Sequence, residues 1–174
     1  MASPNYPNTT GISAGIVTFV EQNVSFTLVG STTAQTYVMV KQGSLKDITD
    51  SLPCLTVEAA RGSSQPYSSG GGSIGWRRDE VPTFRLSSYV DFTDATIAEQ
   101  NILIIRDALI FALTTYYTLG GVSNPQGVQN VYVTEFPVNG EQFLYRDMGN
   151  GVVYRAHICN LIVKSQWNVL NLAR

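Results

Sequence analysis

Few residues in this chain have the chemistry to support catalysis. Residues 71–75, Gly-Gly-Ser-Ile-Gly, match GxSxG, a pattern in which a strained turn exposes a nucleophilic serine. His157, the single histidine, follows Ser73, and that chain order is compatible with a Ser-acid-His triad. The motif needs a strand before it and a helix after it, whereas here it lies in a Ser/Gly-rich run followed by Trp-Arg-Arg. A small serine hydrolase using Ser73 and His157 therefore remains only a remote alternative.

The other reactive side chains form no recognisable constellation. His157 falls inside a strand pattern, where a lone histidine is usually structural. Cys54 and Cys159 lie far apart, with no CxxC and no neighbouring histidine, which favours two buried thiols in a reducing compartment over zinc or a disulfide. No acid/base pair emerges among the carboxylates of Asp47, Asp50, Glu58, Asp79, Glu80, Asp91, Asp94 and Glu99. We expect no enzyme activity, no metal and no cofactor.

Composition narrows the class of protein further. The chain has 174 residues, 44% of them hydrophobic and 14% charged, with a formal net charge of −2. That balance excludes a disordered chain, and slight acidity argues against a free-standing nucleic-acid binder. No apolar run is long enough to span a membrane, and no secretory signal is recognisable at the start. We expect one intracellular globular domain over residues 1–174, whose low charge suits a surface that meets other protein.

The first half of the chain contains two segments, residues 1–9 and 61–78, that predict no packed helix or strand. Residues 1–9 read as a flexible arm, followed by a short amphipathic helix that ends near Asn23. Residues 25–29 and 36–40 predict a hairpin around a Gly-Ser-Thr-Thr turn. Residues 61–78 are rich in Gly and Ser, which offer little area to bury, and predict a long loop between two strands.

The second half predicts one long helix among strands. Thr96 and Glu99 have the spacing of a capping box, and the helical pattern runs to about Leu119, where two glycines follow. Strand patterns cover residues 84–92, 128–136, 141–147 and 152–164, with Asn139-Gly140 as a hairpin turn. The fold class is therefore α+β: an antiparallel sheet with one long helix packed across it, plus a short N-terminal helix and hairpin.

The long helix has two apolar sides. At about 100° per residue, one stripe should lie on the sheet; it comprises Ala98, Ile102, Ile105, Leu109, Ala112, Leu113 and Tyr116. The opposite side carries four large apolar residues, Leu103, Ile104, Ile110 and Phe111, where a monomer would normally place charge. Either the N-terminal helix or hairpin covers them, or another subunit does. They are the candidate subunit interface.

The order of these elements resembles the tail terminator (tail completion) proteins of tailed bacteriophages. The resemblance covers residues 52–164 and rests on four segments: 90–94 (Val-Asp-Phe-Thr-Asp), 117–122 (Tyr-Thr-Leu-Gly-Gly-Val), 154–157 (Tyr-Arg-Ala-His) and 161–164 (Leu-Ile-Val-Lys). The hairpin at residues 25–40 departs from the compact members of the family and leaves the first fifty residues unexplained. No catalytic residue is carried over from the family.

The resemblance implies a structural role in the virion, in the tail and neck region, after assembly in the host cytoplasm. Such proteins form a homohexameric ring that caps the tail tube and joins it to the neck or head-closure protein, and DNA passes through the lumen without sequence-specific binding. The loop that carries Trp76, Arg77 and Arg78 is the candidate docking loop. Another ring-forming component, such as a tail tube or head-closure protein, is the alternative.

Overall fold

The computed structural model describes residues 9–43, 51–67, 77–119, 128–147 and 153–168. The predicted arm, apart from Thr9, and the centre of the predicted loop at residues 68–76 lie outside these ranges. The described residues form two helices and five strands, consistent with the α+β class. The elements are α1 (Thr9–Asn23), β1 (Met39–Gln42), β2 (Cys54–Tyr67), β3 (Arg77–Asp91), α2 (Ala95–Thr115), β4 (Val128–Asp147) and β5 (Val153–Asn168).

The strands form one mixed sheet in the order β1-β2-β3-β5-β4. β2, β3, β5 and β4 pair antiparallel in that order, whereas β1 pairs with the start of β2 in parallel. The antiparallel prediction is therefore wrong at one edge. The predicted N-terminal hairpin is not confirmed: its two segments share a single antiparallel bridge, Phe26 with Gln35, after which the chain continues into β1 beside β2.

The predicted loop at residues 61–78 is wrong at both ends. β2 continues to Tyr67 and β3 begins at Arg77, and the two residues are register partners. A shift in register between Ala59 and Arg61 marks a bulge, beyond which the pairing resumes. The backbone pairing of β3 on both sides, with β2 and β5, supports this stretch in spite of its Gly- and Ser-rich composition.

α2 begins two residues earlier than the predicted capping box implies. Asp94 is the N-cap: its carboxylate accepts from the backbone N–H groups of Thr96 at 2.8 Å and Ile97 at 3.0 Å. The predicted Thr96/Glu99 capping box is therefore wrong, and Glu99 is free to bind elsewhere. The regular helix ends at Thr115, before the predicted end near Leu119.

The main core brings both helices together with one face of the sheet. The α1 residues that predicted its apolar stripe, Ile12, Ile16, Phe19 and Val20, are all buried. Six residues of the predicted α2 stripe are buried in the same cluster as Leu55, Phe84, Leu86 and Leu161 of the strands: Ala98, Ile102, Ile105, Leu109, Ala112 and Leu113. The seventh, Tyr116, is 48% exposed, because it lies past the last regular turn of α2.

Ser88 interrupts the apolar alternation of β3 for a reason visible only in three dimensions. It is fully buried, and its hydroxyl lies 2.9 Å from the buried hydroxyl of Tyr37. Burial raises the pKa of Tyr37, which therefore stays neutral. The opposite face of the sheet holds a smaller buried cluster of Cys54, Tyr89, Tyr154 and Ala156.

Candidate functional site

The outward side of α2, the candidate subunit interface, is only partly open to solvent. Phe111 is 69% exposed and Leu103 is 42% exposed, so no described segment of this chain covers them fully. Ile104 and Ile110 are half-buried, and Ile104 packs against the main core. The sequence left open whether this chain or another subunit covers the four residues. The fold partly covers Ile104 and Ile110 and leaves Leu103 and Phe111 largely exposed.

The four apolar residues do not form one continuous stripe. At about 100° per residue, Asp107 falls between Leu103 and Ile110 on one side and Ile104 and Phe111 on the other. Asp107 is 70% exposed and forms an ion pair with Arg106 at 2.7 Å. A partner that covers this surface would meet two apolar pairs separated by an ion pair.

Only part of the candidate docking loop can be placed. Trp76 lies outside the described residues. Arg77 and Arg78 are the first two residues of β3, in register with Tyr67 and Pro66 of β2 and with Asn168 and Trp167 of β5. The two arginines are therefore strand residues and not loop residues. They lie at the end of the sheet where β2 and β5 finish and β3 begins.

Beneath the outward side of α2 lies an ionic cluster that the sequence does not predict. The guanidinium of Arg106 on α2 donates to both carboxylate oxygens of Glu141 on β4, with Nε–Oε1 at 2.8 Å and the closest contact, from a terminal nitrogen to Oε2, at 2.5 Å. The Glu141 side chain is 15% exposed and that of Arg106 is 32% exposed. Hydrogen bonds from Arg106, the main cause, and from His157 hold the pKa of Glu141 below its usual range.

His157 on β5 is the third member of this cluster. Its Nε2 lies 2.9 Å from Oε1 of Glu141, and its ring packs against Phe143 with centroids 5.1 Å apart. The side chain is fully buried, and Nδ1 has no hydrogen-bond partner among the described residues. Burial lowers the pKa of His157 although Glu141 opposes that shift. The neutral ring that donates from Nε2–H to Glu141 is the form that this environment favours.

A β-bulge places Glu141 at this point. The residues of β4 between Val138 and Gln142 oppose only Cys159 of β5, because Val138 pairs with Asn160 and Gln142 with Ile158. Gly140 within the bulge has a φ of 87°, a backbone conformation that glycine adopts at little cost. The Asn139-Gly140 hairpin turn predicted from the sequence is therefore wrong: the strand continues through it, and the bulge redirects the carboxylate.

A second ion pair joins α2 to β5 about two turns closer to the N-terminus of the helix. Arg155 donates from Nε to Glu99 at 2.8 Å, and its guanidinium lies over the ring of Tyr145 at 4.4 Å. Phe92 meets the same tyrosine edge-on, with centroids 4.9 Å apart. Glu99 and Arg106 therefore attach one side of α2 to β5 and β4 through charged contacts.

The arrangement does not suit nucleophilic catalysis. The Nε2 of His157 is engaged by Glu141 and the ring has no exposed surface, so a substrate has no route to it. Ser73 lies outside the described residues. Cys54 and Cys159 are buried and unpaired, as the sequence predicts, and burial raises the pKa of Cys54 to about 12, which keeps that thiol protonated. Across the described ranges, no three potential metal ligands converge.

Comparison with known proteins adds no assignment: neither a protein-family model nor a curated protein matches the chain. Neither of the two helices within the described ranges is long and apolar enough to cross a membrane.

Proposed function

We propose that this chain is a structural ring component of a tailed-phage virion, of the tail terminator type. In this proposal α2 lies across the sheet, and its outward side contacts the neighbouring subunit of a homohexamer. The ring caps the tail tube, contacts the neck or head-closure protein and lets DNA pass through its lumen. The chain would act by shape and would have no active site and no cofactor.

The observation that carries this proposal is the exposure of Phe111. It is the most exposed large apolar side chain among the described residues, on a helix whose opposite side is buried in the core. Burying a phenylalanine side chain contributes about 1.5–3 kcal/mol. A subunit contact at this surface would gain that energy and the smaller share available at Leu103.

Asp107 does not prevent such a contact, because it already has a partner. Its carboxylate accepts from Arg106 at 2.7 Å, so it keeps a charged hydrogen-bond partner when water is removed around it, although Glu141 shares the same guanidinium. The contact would be heterologous, with this side of α2 meeting a different surface of the next subunit, as ring closure requires.

Light scattering coupled to size exclusion, with negative-stain images of the same peak, tests the proposal. We expect closed rings of about six subunits, alone or at the ends of added tail tubes, and we expect Phe111→Glu to abolish them while circular dichroism stays unchanged. Gln22→Glu, which introduces a carboxylate at an exposed position of α1, is the control and should leave the rings intact.

Three results would contradict the proposal in different ways. Growth of the wild type into long tubes would favour a tail tube protein. A wild type that stays monomeric even with isolated tail tubes would overturn the ring. Loss of folding in Phe111→Glu would show that this side of α2 belongs to the core.

A further inference from the structure

Glu141 is the point at which three elements meet through side-chain hydrogen bonds. It accepts from Arg106 of α2 and from His157 of β5, and it is itself carried by β4. β4 is an edge strand whose only partner strand is β5 within the described sheet. Along residues 140–147 it is largely exposed, apart from the half-buried Glu141 and Phe143. Residues 142–147 also pair with β5 through the backbone, and the cluster adds a side-chain attachment that joins this stretch to α2 as well as to β5.

Protonation of His157 would disturb this attachment. The neutral ring leaves one acceptor, Nδ1, in a fully buried site where the described part of the chain offers it no partner. The protonated ring would instead place a charged N–H donor there without an acceptor, which is more costly than a neutral unpaired atom. The Glu141 carboxylate cannot compensate fully, because Arg106 already binds both of its oxygens.

The groups around His157 come from every neighbouring element. α2 contributes Arg106 and, one residue further, Asp107, and β4 contributes Glu141 and the uncharged ring of Phe143. β3 contributes the uncharged Ser88, directly opposite in register. On β5, Arg155 is paired with Glu99, and Cys159 is a buried thiol whose pKa is raised by burial. Among these groups, His157 alone has an ordinary pKa between about 5.5 and 7.5.

We propose that His157, Glu141 and Arg106 form an acid-sensitive latch that holds residues 140–147 of β4 against β5 and α2. When His157 takes up a proton, this segment opens while the main core stays folded. The latch is a property of the fold and does not depend on the ring assembly proposed above.

The direction of the pH effect follows from linkage. Burial lowers the pKa of His157 in the closed state, whereas in the open segment the ring returns to about 6.5. The open state therefore binds more protons, and opening becomes more favourable as pH falls below about 6.5, by up to tenfold per pH unit for one proton. Glu141 adds little in this window, because its pKa is lowered in the closed state and returns only to about 4.5 in the open segment, so the carboxylate stays largely ionised in both.

The single histidine makes the test direct, since imidazole NMR signals need no assignment among several rings. We expect the Nε2–H tautomer at pH 7.5 and a titration midpoint below about 6.5. Amide hydrogen exchange at pH 7.5 and 5.5, corrected for its intrinsic pH dependence, then measures opening of residues 140–147. We expect opening to rise up to about tenfold, with residues 84–90 of β3 as the internal control that stays protected.

His157→Gln keeps a donor near Glu141 but cannot titrate, so its opening at residues 140–147 should not change between pH 7.5 and 5.5. An equal pH effect in this variant would overturn the latch, as would a histidine titrating at or above its ordinary value. If the variant does not fold, the wild type alone decides. Opening of residues 140–147 without residues 84–90 then supports the latch, and joint opening of both segments, or no change in either, overturns it.

Discussion

The substitution Glu141→Gln tests whether the buried ionic cluster stabilises the fold. Glutamine has nearly the same shape, but one carboxylate oxygen becomes an NH2 group. Oε1 accepts from both Arg106 and His157, and Oε2 accepts from Arg106, so either placement of that NH2 faces a donor. The variant therefore loses a charge and gains a clash of donors, and Arg106 keeps only the exposed Asp107 as an ion-pair partner.

The expected loss of stability follows from the exposure of the two partners. Removing one member of a fully buried ion pair costs about 3–5 kcal/mol. Here Glu141 is 15% exposed and Arg106 is 32% exposed and still paired with Asp107, so solvent and that pair reduce the cost. We expect the free energy of unfolding to fall by about 2 kcal/mol. For a chain of 174 residues, that change lowers Tm by roughly 4–8 °C.

Urea denaturation followed by circular dichroism at pH 7.5 measures this loss. Asp107→Asn is the matched control, because Asp107 pairs with the same Arg106 but is 70% exposed; it should cost less than about 0.5 kcal/mol. Equal losses in the two variants would refute the reasoning, since burial would then make no difference. A loss below about 0.5 kcal/mol for Glu141→Gln would refute it as well.

Two further pairs of substitutions test how the backbone positions the site. Asp94→Ala should lower the free energy of unfolding by about 1 kcal/mol, because it removes the N-cap of α2. Thr96→Ala should have a smaller effect in the same urea titration, and the reverse order would restore the capping box predicted from the sequence. Gly140→Ala should cost about 1–2 kcal/mol through its positive φ alone, since an added Cβ would meet nothing within 4 Å. Gly140→Asn should cost less in a thermal melt, because asparagine tolerates that conformation better, and equal costs would contradict a purely backbone effect.

Local patterns in the sequence predicted the helices well and the pairing of strands less well. The buried stripes of α1 and α2 follow from helical periodicity, which depends only on neighbouring residues. Residues 61–67 were predicted to be loop because their composition is poor for strands, yet β3 pairs with them and is itself held by β5. That support comes from distant chain segments, so no local window contains it.

The ionic cluster also depends on contacts between distant chain segments, which local sequence patterns do not contain. The Asn139-Gly140 pair predicts a positive φ at a hairpin turn. Gly140 does have a positive φ, but it lies in a β-bulge within β4. Glu141 meets Arg106 and His157 only through the register of β4 against β5, which a turn at residues 139–140 would not produce. One signal was available: Arg106 lies at the margin of the buried stripe of α2, where an unpartnered charge would be costly.

The position of β5 in the sheet has a consequence for how the chain folds as it is synthesised. β5 follows β3 and β4 in sequence but lies between them in space. Until residues 153–168 leave the ribosome, β4 has no partner strand among those described, and one edge of β3 stays open to other chains. The antiparallel pairing of β2 with β3 can form early, whereas completion of the sheet waits for β5, the strand that lies between β3 and β4. Nascent chains stalled after residue 147 should therefore aggregate more readily than chains that include β5.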